Sequence, residues 1–276
     1  MDFIKMHGLG NDFIVLQDNG QALDYNRLAP QLCDRRTGIG GDGLIIALPS
    51  KHADIRMRII NSDGSEAEMC GNGIRCLAKY ALDQALVQGR RFTVETLAGP
   101  IVPEVLSNDT SVAQIRVDMG QPILSRSQIP MLGPEGGVAL EPLSVDGKVF
   151  TISSMLVGVP HTMVFVDDLE QTDLSHWGPL IETHPSFPRR TNVNFVQVVD
   201  RTTILVRTWE RGAGATLACG TGSCASAVAA HRAGYTESAV DVRLYLGTLH
   251  VQYENGHVFM SGPAETVFSG QIQLHE

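Results

Sequence analysis

Short runs of alternating or β-branched residues dominate the chain. Residues 13–16, 44–47, 92–96 and 112–119 predict strands in the first half. In the second half, 162–166, 195–199, 204–209, 240–246, 249–253 and 267–274 read the same way. Clusters of Gly, Pro, Asn and Asp separate these runs, as turns require. Four segments have helical spacing. Residues 25–35 and 174–184 are amphipathic, whereas 74–82 and 223–230 are apolar on most sides. A helix that is apolar nearly all round belongs inside something, and the available container is a sheet curled around it. Gly234 is placed to end the last of these helices.

The two apolar helices open alike, with Cys70-Gly71-Asn72-Gly73 and Cys219-Gly220-Thr221-Gly222, 149 positions apart. Other pieces recur at nearly this offset. Gly10-Asn11-Asp12-Phe13 answers Gly158-Val159-Pro160-His161, and Arg58-Ile59-Ile60-Asn61 answers Arg207-Thr208-Trp209-Glu210. Arg36-Thr37-Gly38 echoes Arg190-Thr191-Asn192 with a small insertion. Matched pieces in one order at one offset predict an internal duplication. The expected fold is α+β, with two pseudo-symmetric domains, each a β-barrel-like, mostly antiparallel sheet around a central apolar helix. The expected domains are residues 1–119, joined by 264–276, and residues 120–263.

Composition narrows the function. The 276 residues include 21 Lys and Arg against 30 Asp and Glu, a net charge of −9. No basic stripe is present for nucleic acid or an anionic membrane surface. No run of ~18 apolar residues is present to span a bilayer. The first residues lack the layout of a secretion signal, and five cysteines suit a reducing compartment, so a cytoplasmic location is expected. Gly38-Ile39-Gly40-Gly41-Asp42-Gly43 fits G-x-G-x-x-G, but a helix-like stretch precedes it and a strand follows it. That inverts the order a dinucleotide-binding loop needs.

The chemistry concentrates in the two cysteine loops. Helix N-termini carry unpaired N–H groups and partial positive charge, which favour a thiolate and suit a carboxylate. Glycines let a ligand approach the backbone closely. Two such loops related by a twofold axis put one carboxylate between two sulfurs. Inverting an α-carbon needs a proton removed from one face and another delivered to the opposite face, which one thiolate and one thiol can do in either direction. No metal, pyridoxal phosphate or flavin motif supplies an electron sink. Cys33, Cys76 and Cys224 fall inside helices and read as buried small hydrophobes. Glu210 and Arg211 offer opposite charges to a zwitterion, and Asn61 and Asn192 offer neutral donors and acceptors.

On these residues the sequence resembles the diaminopimelate epimerases over almost its whole length. The resemblance is carried by Met6-His7-Gly8-Leu9-Gly10-Asn11-Asp12-Phe13, Asn61-Ser62-Asp63-Gly64-Ser65, residues 69–76, residues 210–214 and residues 218–222. It implies a cofactor-independent epimerase interconverting LL- and meso-diaminopimelate, with the active site in a cleft between two domains, acting as a homodimer on a small amino acid. Cys70 and Cys219 would be the acid–base pair, with His161 and Glu210 near the reacting centre. Gly71, Asn72, Gly220 and Thr221 would hold the reacting carboxylate, and Asn11, Asn61, Asn192, Glu210 and Arg211 would complete substrate binding. Three residues depart from the family pattern: Val159 stands where an asparagine is usual, Gly43 where some members have glutamine, and Ala215 where glutamate is common. A racemase of another amino acid such as histidine, and an amino-acid binding protein with redox-sensitive cysteines, are the alternative readings.

Overall fold

The computed structural model describes residues 1–21 and 23–273. The chain divides into two compact units, Met1–Asp118 with the segment from Ser261 onward, and Met119–Met260. The expected strand 267–274 and the expected domain segment 264–276 run partly outside the described residues, at Leu274, His275 and Glu276. Ala22, within the expected first domain, also lies outside them.

The first unit runs β1 (Asp2–Gly8), β2 (Asn11–Gln17), α1 (Tyr25–Cys33), β3 (Gly43–Leu48), β4 (Ile55–Asn61), β5 (Glu66–Ala67), α2 (Gly71–Asp83), β6 (Val94–Thr96), β7 (Gly99–Ile101), β8 (Pro103–Asn108) and β9 (Val112–Asp118). The second runs β10 (Val138–Val145), β11 (Lys148–Val157), β12 (Val159–Phe165), α3 (Leu174–Glu182), β13 (Asn192–Asp200), β14 (Thr203–Glu210), β15 (Gly214–Thr216), α4 (Gly220–Arg232), β16 (Ala239–Leu244) and β17 (Gly247–Glu254). The last strand, β18 (His257–Gln271), contains the division at Ser261.

The duplication is explicit in the pairings. In the first unit β1–β2, β3–β4, β4–β5 and β6–β7 are antiparallel, and β2–β3 and β4–β6 are parallel. The second repeats this with β11–β12, β13–β14, β14–β15 and β16–β17 antiparallel, and β12–β13 and β14–β16 parallel. Even the register repeats: Phe13 faces Gly43 in one unit, and His161 faces Asn192 in the other. Asn192 therefore occupies the place of Gly43. The echo of Arg36-Thr37-Gly38 in Arg190-Thr191-Asn192 is out of step: the loops after α1 and α3 are equally long, so Arg190-Thr191-Asn192 falls opposite residues 41–43.

Each curled sheet encloses one helix. α2 packs against β1, β2, β3, β4, β8 and β9, and α4 packs against β11, β12, β13, β14, β16 and β17. The two helices solve enclosure differently. α4 is built from Gly, Ser and Ala, and the hydroxyls of Ser223 and Ser226 return to the carbonyls of Cys219 and Gly222 at 2.8 and 2.7 Å. α2 carries two cations, Arg75 and Lys79, both fully buried. Lys79 Nζ donates to Asp83 Oδ2 at 2.9 Å, Asn108 Oδ1 at 3.2 Å and Asp109 O at 3.0 Å. These contacts tie the end of α2 to the β8–β9 turn and satisfy a charge that would otherwise be costly to bury.

The four predicted helices are present, and Gly234 follows the α4 cap with φ +77°. The G-x-G-x-x-G stretch does lie after a helix and before a strand, with Gly43 opening β3. β18 passes straight through Gly262-Pro263. A proline fits a strand position that needs no N–H donor, and the Pro263 carbonyl accepts from Arg75 Nε at 3.1 Å. Among the described residues, no helix is long and apolar enough to cross a membrane.

Replacing Lys79 with Met leaves Asp83 and the turn carbonyls without their cation. Breaking such a pair from one side costs about 3 kcal/mol, so urea unfolding of Lys79→Met should show a loss of that order.

Candidate functional site

In the first unit Cys70 is the N-cap of α2. Its backbone is extended (φ −141°, ψ 124°), and its sulfur accepts from the Gly73 N–H at 3.4 Å. A Cβ on Gly73 would sit 3.3–3.4 Å from Ile45, Ile59 and Cys70, so the first turn is packed close to the sulfur. Cys70 Sγ also lies 3.6 Å from Asn11 Oδ1, and the same oxygen accepts from Asn72 Nδ2 at 3.1 Å. Cys70, Gly71, Asn72 and Asn11 thus form one cluster at the mouth of α2. Asn61 ends β4, exposed, with its amide donating to Ser65 Oγ at 2.9 Å. It adjoins the cluster through Ser62, whose N–H donates to the Asp42 carbonyl at 3.1 Å.

A charged network backs this cluster. Asp42 Oδ2 accepts from the Asn11 amide at 2.8 Å and from the Asp12 N–H at 3.1 Å. Arg35 forks onto Asp12 at 3.0 and 2.6 Å and reaches Asp42 at 2.9 Å, and Lys5 pairs with Asp12 at 2.6 Å. Burial alone would raise the Asp12 carboxyl, but Arg35 and Lys5 outweigh it and hold the group at about 2.

In the second unit Cys219 caps α4 with the same extended backbone (φ −122°, ψ 110°), and its sulfur lies 3.5 Å from Thr221 Oγ1. Gly222 has no room for a side chain: a Cβ would meet Asn194 Oδ1 at 2.3 Å and the Cys219 sulfur at 3.2 Å. Asn194 was not singled out in the sequence, and the strand register that brings it here is not readable from local pattern. It receives the Thr208 hydroxyl at 3.0 Å and donates from Nδ2 to His161 Nδ1 at 3.1 Å. An imidazole nitrogen that accepts carries no proton, so His161 keeps its proton on Nε2. That nitrogen is buried and has no partner among the described residues. Burial first, and the Arg211 charge second, push His161 down to about 3.

The remaining predicted residues gather around Asn192, beside His161 in the β12–β13 register. Asn192 Oδ1 accepts the Arg211 N–H at 2.8 Å, and its amide donates to the Pro160 carbonyl at 3.1 Å. Arg211 reaches the Arg189 carbonyl at 3.0 Å, and Glu210 Oε1 accepts the Thr216 hydroxyl at 2.6 Å.

The other three cysteines are buried. Burial pushes the Cys33 thiol up to about 11 and the Cys76 thiol up to about 12. Cys224 is fully buried inside α4. Of the three departures from the family pattern, Gly43 is explained locally. A Cβ there would lie 2.6 Å from the Ile60 carbonyl, so no side chain fits without moving backbone. Val159 opens β12 and Ala215 sits mid-β15, both exposed.

A duplicated sheet with one enclosed helix in each unit is a fold shared with other solved structures. The structure superposes on a PhzF-family phenazine biosynthesis protein of Bacillus anthracis with a TM-score of 0.71, at 17% identity over 99% of both chains. It also superposes on a hydroxyproline epimerase of Agrobacterium vitis with a TM-score of 0.68, at 15% identity over 99% of this chain and 90% of that one. The diaminopimelate epimerase family model matches residues 3–125 and 153–267. Diaminopimelate epimerases of Pelotomaculum thermopropionicum and Heliobacterium modesticaldum are 53% and 50% identical, covering 98% and 99% of this chain and 98% and 100% of theirs. The chain belongs to the diaminopimelate epimerase family.

Two outcomes follow from the charge states. His161, whose folded value lies below its ordinary 6.5, should stay neutral with its proton on Nε2 between pH 8 and about pH 5, as read by ¹⁵N-resolved NMR of the imidazole. Asp12 has a folded value below its ordinary 3.8. Its contribution is therefore fully present above that value and is lost as pH falls toward about 2. The stability gap between the wild type and Asp12→Asn in urea should narrow over that window.

Proposed function

We propose that this chain interconverts LL-2,6-diaminopimelate and meso-2,6-diaminopimelate by a cofactor-independent, two-base reaction serving lysine and peptidoglycan precursor synthesis. The observation that carries the reading is the pair of cysteines at matched helix N-caps. Each is followed by a glycine-lined first turn whose N–H groups suit a carboxylate.

The reaction proceeds by proton transfer at the α-carbon. One cysteine, as thiolate, takes the α-proton, and the other, as thiol, delivers a proton to the opposite face. The charge that spreads onto the carboxylate is stabilised by backbone N–H groups of Gly71 and Asn72 and of Gly220 and Thr221. Reversal exchanges the roles of Cys70 and Cys219. His161 acts beside the reacting centre as a neutral Nε2–H donor, which fits its burial and its acceptor contact at Nδ1. Glu210 serves at the same centre. At the other end of the substrate, Arg211 grips the distal carboxylate, and Asn11, Asn61 and Asn192 serve its ammonium and remaining polar atoms. The same reading includes a cytoplasmic homodimer, which sedimentation velocity checks.

Val159 supports a second reading within the same chemistry. Its exposed apolar side chain replaces an amide and removes one polar contact for a distal ammonium. A panel of diaminopimelate stereoisomers, lysine, histidine, glutamate and proline, read by chiral chromatography, decides between the two. Turnover of diaminopimelate is expected, and turnover of another member with none on diaminopimelate replaces the substrate while keeping the mechanism.

Cys70→Ala and Cys219→Ala should each abolish epimerisation, by at least about 10³-fold, with circular dichroism unchanged. In deuterated water the wild type should incorporate deuterium at the α-carbon. Full activity in either variant ends the two-base assignment.

A further inference from the structure

The duplication supplies a comparison within one chain. Around Cys70, four residues form a line of hydrogen bonds with a charge at each end. Fully buried Arg75 donates to Gly71 O and to Asn72 Oδ1, both at 2.9 Å. With its oxygen engaged there, Asn72 presents its amide nitrogen to Asn11 Oδ1 at 3.1 Å. At the far end Asp42 Oδ2 accepts from the Asn11 amide nitrogen at 2.8 Å. A guanidinium only donates and a carboxylate only accepts, so neither amide can flip without setting donor against donor or acceptor against acceptor. The Asn11 carbonyl oxygen is thereby held 3.6 Å from Cys70 Sγ. A carbonyl oxygen beside sulfur stabilises the thiol, opposing the Gly73 N–H on the same atom.

The second unit builds the same cap without this line. By strand register and helix position, the counterparts of Asn11, Asp42, Asn72 and Arg75 are Val159, Thr191, Thr221 and Cys224. None carries an amide or a permanent charge, yet α4 starts at the equivalent point with the equivalent extended cap. Enclosing a cysteine-capped helix does not require the line, so its purpose lies in the chemistry of Cys70.

We propose that Arg75 and Asp42 are positioning residues that lock the Asn11 amide with its oxygen toward Cys70, so that this sulfur holds its proton more firmly than the helix N-terminus alone would allow. The inference deepens the two-base reading and rests on it. Other charged groups packed around this end of the unit are Lys5 and His7 on β1, Asp12 on β2, Arg35 after α1 and Glu265 on β18.

The test reads the sulfur directly. In a Cys219→Ala background, alkylation of Cys70 by iodoacetamide is followed against pH by peptide mass spectrometry, with folding checked by circular dichroism. Asn11→Ala removes the carbonyl without changing any charge. Arg75→Lys keeps the charge but loses the fork that holds Gly71 O and Asn72 Oδ1 together. The line predicts that both lower the midpoint of alkylation by about one pH unit. Simple charge effects predict no change in either. An unchanged or raised midpoint in Asn11→Ala overturns the proposal, whether or not Arg75→Lys folds. Because alkylation needs no turnover, this result stands apart from whether the wild type epimerises diaminopimelate.

Discussion

A helix closed in on every side cannot leave its first N–H groups to water. The fold of this protein turns on that constraint, because each unit winds its sheet around one helix and must find partners for the donors at that helix's start. In the first unit a sulfur takes one of them, and glycines keep the others reachable from outside the backbone. N–H groups at a helix start are what a carboxylate requires. Placing a cysteine at the cap therefore answers a packing demand.

The two units share their pairings but differ in what they bury. Where the first sets Lys5 against Asp12, with Asp42 accepting the Asp12 N–H, the second lines up the hydroxyls of Ser154, Thr162 and Thr191 at 3.0 Å spacing. Ionic and neutral polar packing thus stand at equivalent places on one scaffold. The consequence is an asymmetric pair of surroundings for two residues that the backbone treats alike.

Much of this was legible in the sequence. The helices, most long strands, the repeat and both cap cysteines announce themselves locally, because apolar spacing and Cys-Gly-x-Gly need only neighbouring residues to be read. What stayed hidden depends on distant partners. β10 and β11 were not predicted, since Pro142, Lys148, Ser153 and Ser154 interrupt the alternation and only pairing with β12 and each other makes them strands. Arg75 and Lys79 are the two charged positions in a segment that is apolar on most sides. Their burial is settled by Pro263 and by Asn108 and Asp109, far along the chain. Asn194 and Asp42 escaped notice for the same reason, because their roles exist only once strands are in register.

The thiols at Cys33 and Cys76 stay protonated far above neutrality because the sheet has sealed them. Oxidation of a purified sample should therefore spare these two sulfurs.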